Sequence, residues 1–427
     1  MKKQILIVGS GFSGMWAAVS AARLSALEGN NSLSIAVLAP VAELRVRPRF
    51  YEENVSSMVA PLTELFAELG IAFIAGEAQR IDTSSKTVLY RDSNGAIAEV
   101  AWERLILATG SQTKRPPVAG LAEYAFDIDQ HDSARLFEQH LDSLVSRPST
   151  PERNTVVVCG GGFTGIELAT ELPARLRTRF GVDTETKVIV VERGATIGGR
   201  YSEALRNTIE EASNALGVEW RLNSEIEAID ASGVTLKNGE RIASATVVWT
   251  AGVEANPLSL QIDGERDTQG RLIVTDTLQV PAHPEVYATG DMAHAKTDDA
   301  GNTALMTCQH AIQLGKFAGH NAAASLLNLE PYPYRQVNYV TCLDLGGWGA
   351  VYTEGWEQRI KSVREEGKKI KVAITNELIY PPAADKAVAF AAADPLAKFV
   401  SPSCARDQRA KRESGQRSCV GLTLFGT

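Results

Sequence analysis

The chain has 427 residues, with 43 Lys plus Arg against 51 Asp plus Glu and a formal net charge of −8. At about 150 residues per domain, that length predicts two to three domains, and 44% hydrophobic with 22% charged residues fits an ordinary soluble globular chain. The acidic balance argues against nucleic acid as a partner, because phosphate binding needs a basic face. No apolar run approaches the roughly 18 residues of a membrane-spanning helix. The five cysteines (Cys159, Cys308, Cys342, Cys404 and Cys419) are scattered and contain no C-x-x-C, which speaks against a disulfide framework and leaves no pattern for a metal. The opening MKKQILIVGSGFSG runs at once into a glycine turn and not into a signal-peptide cleavage region. A cytoplasmic protein is expected, free or held peripherally on the cytoplasmic face of the inner membrane.

A short β-type run at 4–8 is followed by Gly9-Ser-Gly11-Phe12-Ser13-Gly14, a helix-compatible stretch at 15–27, and a second strand at 34–38. Glycine turn, helix and return strand come in the order a dinucleotide site requires. Two β-leaning stretches follow, 72–89 and 97–107, the second ending in Ala108-Thr109-Gly110. A Pro/Ser/Arg-rich passage at 146–154 reads as a linker. Then the first unit recurs: a strand at 155–158, the turn Gly160-Gly-Gly162-Phe163-Thr164-Gly165, a helix to about Phe180, and a strand at 187–191. Further on, Val247-Val-Trp-Thr-Ala-Gly252 and Val286-Tyr-Ala-Thr-Gly290-Asp291 are strands that stop at small residues. The stretch 304–327 predicts a helix, 339–353 is β-like, and 355–375 is charged with apolar positions at helical spacing. From 402 the periodicity is lost, and an atypical tail is expected.

The internal duplication predicts an α/β chain with two Rossmann-like dinucleotide-binding domains. In each glycine motif the first glycine permits the tight turn, the second lets backbone approach a pyrophosphate, and the third lets helix and strand pack. The helix N-terminus then offers free N–H groups to the phosphates. In the second unit the return strand ends at Glu192, whose carboxylate suits a ribose 2′-hydroxyl and repels a 2′-phosphate, favouring NADH over NADPH. Arg193 tempers that preference. In the first unit the equivalent position is Ala39, so a ribose contact there must come from backbone or from Glu43.

Taken together, these motifs resemble the two-dinucleotide-binding-domain flavoproteins, the superfamily of the pyridine nucleotide-disulfide reductases. The resemblance covers about residues 1–380. It implies a discontinuous FAD domain (1–150 and 266–337), an NAD(P)H domain inserted at 151–265, a small C-terminal region at 338–401, and the tail at 402–427. Within the superfamily the chain is most similar to type II NADH:quinone oxidoreductases, through Gly160–Leu168, Val248-Trp-Thr-Ala-Gly-Val253 with Asn256-Pro257, and above all Cys308-Gln309-His-Ala-Ile-Gln313. The last looks like that family's A-Q-x-A-x-Q quinone motif, with Cys308 in place of the first alanine. The likeness implies FAD held by Gly9, Gly11, Phe12, Ser13, Gly14, Arg49, Ala108, Thr109, Gly110, Gly290 and Asp291. It implies NADH at Gly160, Gly162, Phe163, Thr164, Gly165, Glu192 and Gly252.

The chemistry this implies is hydride transfer from NADH to FAD, then two electrons to a quinone. No C-x-x-x-x-C follows the first glycine helix, so no cysteine relay is expected. Gln309 and Gln313, four apart on one helix face, are candidate donors to quinone carbonyls; a plain polar face is the alternative. Glu167 is a candidate for orienting nicotinamide or delivering protons, against simple stabilisation of the helix dipole. The resemblance also implies a homodimer and leaves peripheral membrane contact open. Two other readings stand beside it: a soluble NAD(P)H-dependent reductase of another small aromatic or protein acceptor, and an NADH-sensing flavoprotein scaffold with little turnover.

Overall fold

The computed structural model describes residues 3–29 and 32–397, so the expected tail from 402 lies outside the described residues. The architecture is α/β, built on two sheets of largely parallel strands. In the first, Lys3–Val8 lies between Leu33–Ala39 and Arg104–Leu107, all parallel, and His283–Ala288 adds beyond Arg104–Leu107. On the other side Ala72–Asp82 pairs parallel with Leu33–Ala39 and leads into the antiparallel strands Thr87–Asp92 and Ile97–Ala101. A strand from beyond residue 280 thus completes a sheet begun at residue 3. The central strands are buried on both faces (Ile5, Leu6 and Ile7 are fully covered), which is why they read as continuous apolar runs.

The second sheet is wholly parallel, in the order Ala125–Phe126, Thr246–Trp249, Thr155–Cys159, Lys187–Val191, Val218–Arg221. Ala125–Phe126 lies before the boundary expected at 150, yet it pairs with Thr246–Trp249. The helix His131–Leu144 follows it, burying Phe137, Leu141 and Leu144 among Val156, Val158 and Leu168. A polar stretch such as 146–154 marks a surface turn, and here that turn lies within the second unit.

A third sheet of antiparallel strands, Val340–Asp344, Ala350–Glu354 and Arg359–Val363, packs against the second glycine helix through Leu343, Leu345 and Ile166. The segment expected to be helical over 355–375 therefore divides. Arg359–Val363 alternates exposed and half-buried residues as an edge strand, and the helix Arg364–Ala373 begins after it, continuing as a π-helical turn at Ile374–Leu378.

Helix Cys308–Leu327 crosses the first glycine helix, Phe12–Leu27, at close range. A Cβ on Gly315 would stand 2.4 Å from the Ser13 carbonyl oxygen, and one on Gly319 2.0 Å from that of Ala17. Only glycine permits that approach. No helix among the described residues is long and apolar enough to cross a membrane.

Candidate functional site

Both glycine turns stand at the carboxyl end of a central parallel strand, where α/β sheets place their ligands. Gly9 has φ +109° and Gly160 φ +114°, conformations that side chains rarely adopt. Gly14 and Gly165 are packed tightly: an added Cβ would lie 2.0 Å and 1.9 Å from the carbonyl oxygens of Gly9 and Gly160. The middle glycines differ. Around Gly11 and Gly162 nothing lies within 4 Å of where a Cβ would be, so the backbone there is open to a ligand. Neither Gly11 nor Gly162 caps its helix with a side chain, and neither first turn carries an acid. Uncapped helix N–H groups, open backbone at the middle glycine and no acid in the helix's own first turn together fit a pyrophosphate.

The late strand-end motif meets the first turn directly. A Cβ on Gly290 would lie 2.5 Å from Ser13 Oγ. Ala108 closes the back of Gly9 and Gly14, and Thr109 Oγ1 donates to Met292 Sδ (3.2 Å). The antiparallel pairing of Ser111–Thr113 with Val253–Ala255 sets the two strand-end glycines at opposite ends of the pair: the Gly110 carbonyl accepts from Asn256 N (2.9 Å), and the Gly252 carbonyl accepts from Lys114 N (3.1 Å). Asp291 Oδ2 accepts from Ser111 Oγ at 2.6 Å and from Arg47 Nη1 at 3.4 Å, while Arg47 also pairs with Asp129. The loop arginine beside Asp291 is thus Arg47. Arg49 instead clamps Glu52 (2.8 Å) and reaches Tyr380 Oη (3.2 Å). Phe12 packs partly buried between the two largest cores, and Ser10 Oγ donates to the Val41 and Glu43 carbonyls, pinning the loop that follows Ala39.

In the second unit Glu192 bends back to the glycine loop, its oxygens accepting from Gly161 N and Gly194 N, each at 2.7 Å. That places the acid beside the turn, as a ribose contact needs. Phe163 packs toward the third sheet, and Thr164 is exposed.

Glu167 lies one turn into this helix and is 4% exposed; Lys371, from the last long helix, is equally buried. Lys371 Nζ donates to Glu167 Oε1 at 2.7 Å and to the Cys342 carbonyl at 3.2 Å, and Asp344 N donates to the same Oε1 at 3.0 Å. No hydrogen bond involves Oε2 among the described residues. Asp344 in turn accepts from Lys368 Nζ (2.6 and 2.7 Å) and from Tyr51 Oη (3.0 Å). Burial pushes the Glu167 carboxyl up to about 7, with Lys371 and Asp344 N–H working against it. Burial alone would lower Lys371, but Glu167 and the neighbouring acidic groups reverse this and hold it above its usual value, protonated. A buried acid poised near neutrality beside a fixed cation is suited to proton transfer.

Gln309 is tied into structure: its Nε2 donates to the Val340 carbonyl (2.7 Å) and its Oε1 accepts from Val340 N (3.4 Å). Gln313, half-buried on the same face, makes no side-chain hydrogen bond among the described residues. His310 is buried and neutral, its pKa lowered to about 3 by desolvation, with Nδ1 on Thr307 Oγ1 at 2.9 Å. The thiols of Cys159, Cys308 and Cys342 are free, and burial raises them to about 12, 11 and 12.

Lys371, Lys368, Asp344 and Tyr51 escaped the sequence reading. Their signal was faint: two lysines three apart in a charged stretch, and a tyrosine inside Arg-Pro-Arg-Phe-Tyr-Glu-Glu. Among the described residues no cluster of His, Cys, Asp or Glu could hold a metal ion.

Comparison with known proteins agrees with this geometry. Over 385 residues, 89% of this chain and 94% of the other, the chain is 40% identical to an NADH dehydrogenase-like protein of Mycobacterium tuberculosis. It is 29% identical to a demethylphylloquinone reductase of Synechocystis, covering 82% of this chain and 86% of that one. Among solved structures, NDH2 of Plasmodium falciparum in complex with NADH superposes with TM-score 0.72 at 14% identity, over 91% of this chain and 97% of the other. The sulfide:quinone oxidoreductase of Aquifex aeolicus gives TM-score 0.71 at 17% identity, over 88% and 90%. Residues 3–315 match the pyridine nucleotide-disulphide oxidoreductase family. By this match over most of its length and by the relatives it aligns with, the chain belongs to that family and is an oxidoreductase built around FAD and a nicotinamide nucleotide.

Proposed function

We propose that the protein is an FAD-dependent NADH:quinone oxidoreductase in which electrons pass from reduced flavin to the quinone without a cysteine relay. The observation that carries the reading is the Glu167–Lys371 pair. It is buried between the nicotinamide turn and the third sheet, with one carboxylate oxygen unengaged. Bound at the first turn, FAD would accept hydride and release electrons in pairs. The chain's own part is orientation and proton supply. Gly9, Gly11 and Gly14, with Ser13, Gly290 and Asp291, would hold the flavin nucleotide, and Gly160, Gly162 and Gly165 with Glu192 the NADH. Glu192 favours NADH over its 2′-phosphorylated form.

The demethylphylloquinone reductase among the relatives supports a quinone as acceptor. Absence of a relay is supported by the thiols, since the thiolate is the reactive form and burial raises the three described cysteines well above neutrality. Gln313, whose amide is uncommitted, is better placed than Gln309 to meet a quinone oxygen.

The test is an anaerobic visible spectrum of the purified protein. NADH should bleach the flavin bands, and a short-chain ubiquinone should restore them rapidly. Bleaching without recovery would send the acceptor elsewhere, to another small aromatic molecule or a protein. Lack of flavin absorbance after FAD is supplied would overturn the reading at its first step.

A further inference from the structure

A cleft of about 320 Å³ opens on the outer side of the Glu167–Lys371 pair, between the loop at 47–54, the second glycine helix, and the helix carrying Lys368 and Lys371. We propose that this cleft is the proton-entry side of the reaction, with Glu171 as the carrier between water and the buried pair. The inference rests on the quinone reading above.

The stoichiometry demands such a route. NADH delivers one hydride, which is two electrons and one proton. A quinone becomes a hydroquinone by taking two electrons and two protons. One proton per turnover therefore comes from water; Glu167 is buried and does not line the cleft, and Lys371, which does, has its Nζ committed to Glu167 and the Cys342 carbonyl.

The charges around the cleft single out one group. On the loop, Arg49 is clamped by Glu52, and Glu53 is paired with Arg179 and lies 3.9 Å from Arg175. From the third sheet, Asp344 is held by Lys368 and Tyr51. Lys371 is held by Glu167. Glu171 alone of these lining acids makes no hydrogen bond or salt bridge among the described residues, and it is half-buried. It sits four residues after Glu167, hence on the same helix face, about 6 Å along the axis. Desolvation raises its carboxyl above the ordinary value, with Lys368 opposing, so it keeps a proton to higher pH than a surface acid.

The transfer is written simply. A water O–H bond in the cleft breaks as its proton forms the O–H bond of Glu171, and the hydroxide left behind is neutralised by bulk solvent. That bond breaks as the proton passes to the Glu167 carboxylate, whose ionised form Lys371 stabilises. Glu167 then gives the proton to the acceptor, and no oxidant or reductant beyond NADH and quinone is consumed.

The experiment is anaerobic stopped-flow on the FAD-loaded protein from pH 6 to 9. The unchanged protein is compared with Glu171→Gln and Glu171→Asp, each pre-reduced with NADH and then mixed with short-chain ubiquinone. Bleaching by NADH should be unchanged in Glu171→Gln, while reoxidation slows by about 10-fold or more, most at high pH. Sodium azide, whose ion and conjugate acid form a small mobile proton carrier, should restore it. Glu171→Asp keeps the acid and should stay within about 3-fold of the unchanged rate. Reoxidation unaffected in Glu171→Gln, slowing that azide does not relieve, or equal loss in both variants would each overturn the proposal. If the unchanged protein itself stays bleached with ubiquinone, the acceptor reading fails separately. The same comparison is then run with dichlorophenolindophenol, a two-electron dye that also takes up protons.

Discussion

The two glycine turns are near copies, yet the helices they open are embedded differently. The first, Phe12–Leu27, is buried along most of its length and crossed by Cys308–Leu327 at glycine-to-backbone distance. The second, Phe163–Phe180, meets the third sheet, where Gly346 packs on the Thr170 carbonyl, and it turns Glu167 and Glu171 toward a polar network. One turn geometry thus opens two differently placed helices. Enclosure suits a group that stays bound, whereas a helix with one chemically active face suits a nucleotide that comes and goes.

The largest expected effect breaks that symmetry outright. Gly319→Val should force the first helix pair apart, costing about 3 kcal/mol or more of stability and releasing FAD. Gly165→Val should leave flavin content near normal and abolish bleaching by NADH. Absorbance at the flavin bands, followed by an NADH titration, separates the two. Equal flavin loss in both variants would mean that the two helices are not embedded differently in any way that matters.

Next in size is the buried pair. Lys371→Met leaves Glu167 without its cation and should cost about 3–5 kcal/mol. Adding Glu167→Gln should recover much of it, because the pair is then replaced as a unit. Thermal midpoints of the FAD-loaded variants test this, and a double variant no better than Lys371→Met would refute the coupling. A pH dependence follows from the same group. The Glu167 carboxyl is raised from 4.5 to about 7 by burial. Its contribution to stability is therefore fully present below about 4.5 and is lost as pH rises through about 7. Over that window Glu167→Gln should show a flatter midpoint than the unchanged protein.

Much of this layout was legible beforehand. Strand, glycine turn and helix are local patterns with fixed spacing, so both nucleotide units and the Gly290-Asp291 return could be read from sequence. The pairing of Ala125–Phe126 with Thr246–Trp249 could not, because two-residue strands carry no periodicity and the Pro/Ser/Arg passage drew the boundary later. Nor could Lys371, whose meaning depends on a partner 204 residues away. A charged stretch reads as a solvated face until the fold shows which lysine is turned inward. Arg47 and Arg49 make the same point at shorter range: two residues apart in one loop, they separate only when Asp291 and Glu52 are placed.

Smaller effects sharpen the comparison at the nucleotide ends. Glu192→Ala removes the carboxylate held beside the second turn and should raise the Michaelis constant for NADH several-fold, with flavin content unchanged. The first turn has Ala39 at the equivalent place, so no corresponding substitution exists there. An unchanged Michaelis constant would detach Glu192 from the ribose.

The smallest expected difference lies between two glutamines on one face. Gln309 spends both ends of its amide on the Val340 backbone, so Gln309→Ala should lower stability by about 1 kcal/mol by loosening the third sheet from Cys308–Leu327. Gln313 has no such tie, and Gln313→Ala should leave stability alone. If the uncommitted amide meets the acceptor, the Michaelis constant for quinone rises in Gln313→Ala while flavin reduction by NADH is spared. Reversal of that pattern, with Gln309→Ala stable and selectively impaired toward quinone, would mean that its bond to Val340 opens when an acceptor binds. The third sheet would then move with turnover, and the static face of the helix would be a poor guide to which glutamine does the chemistry.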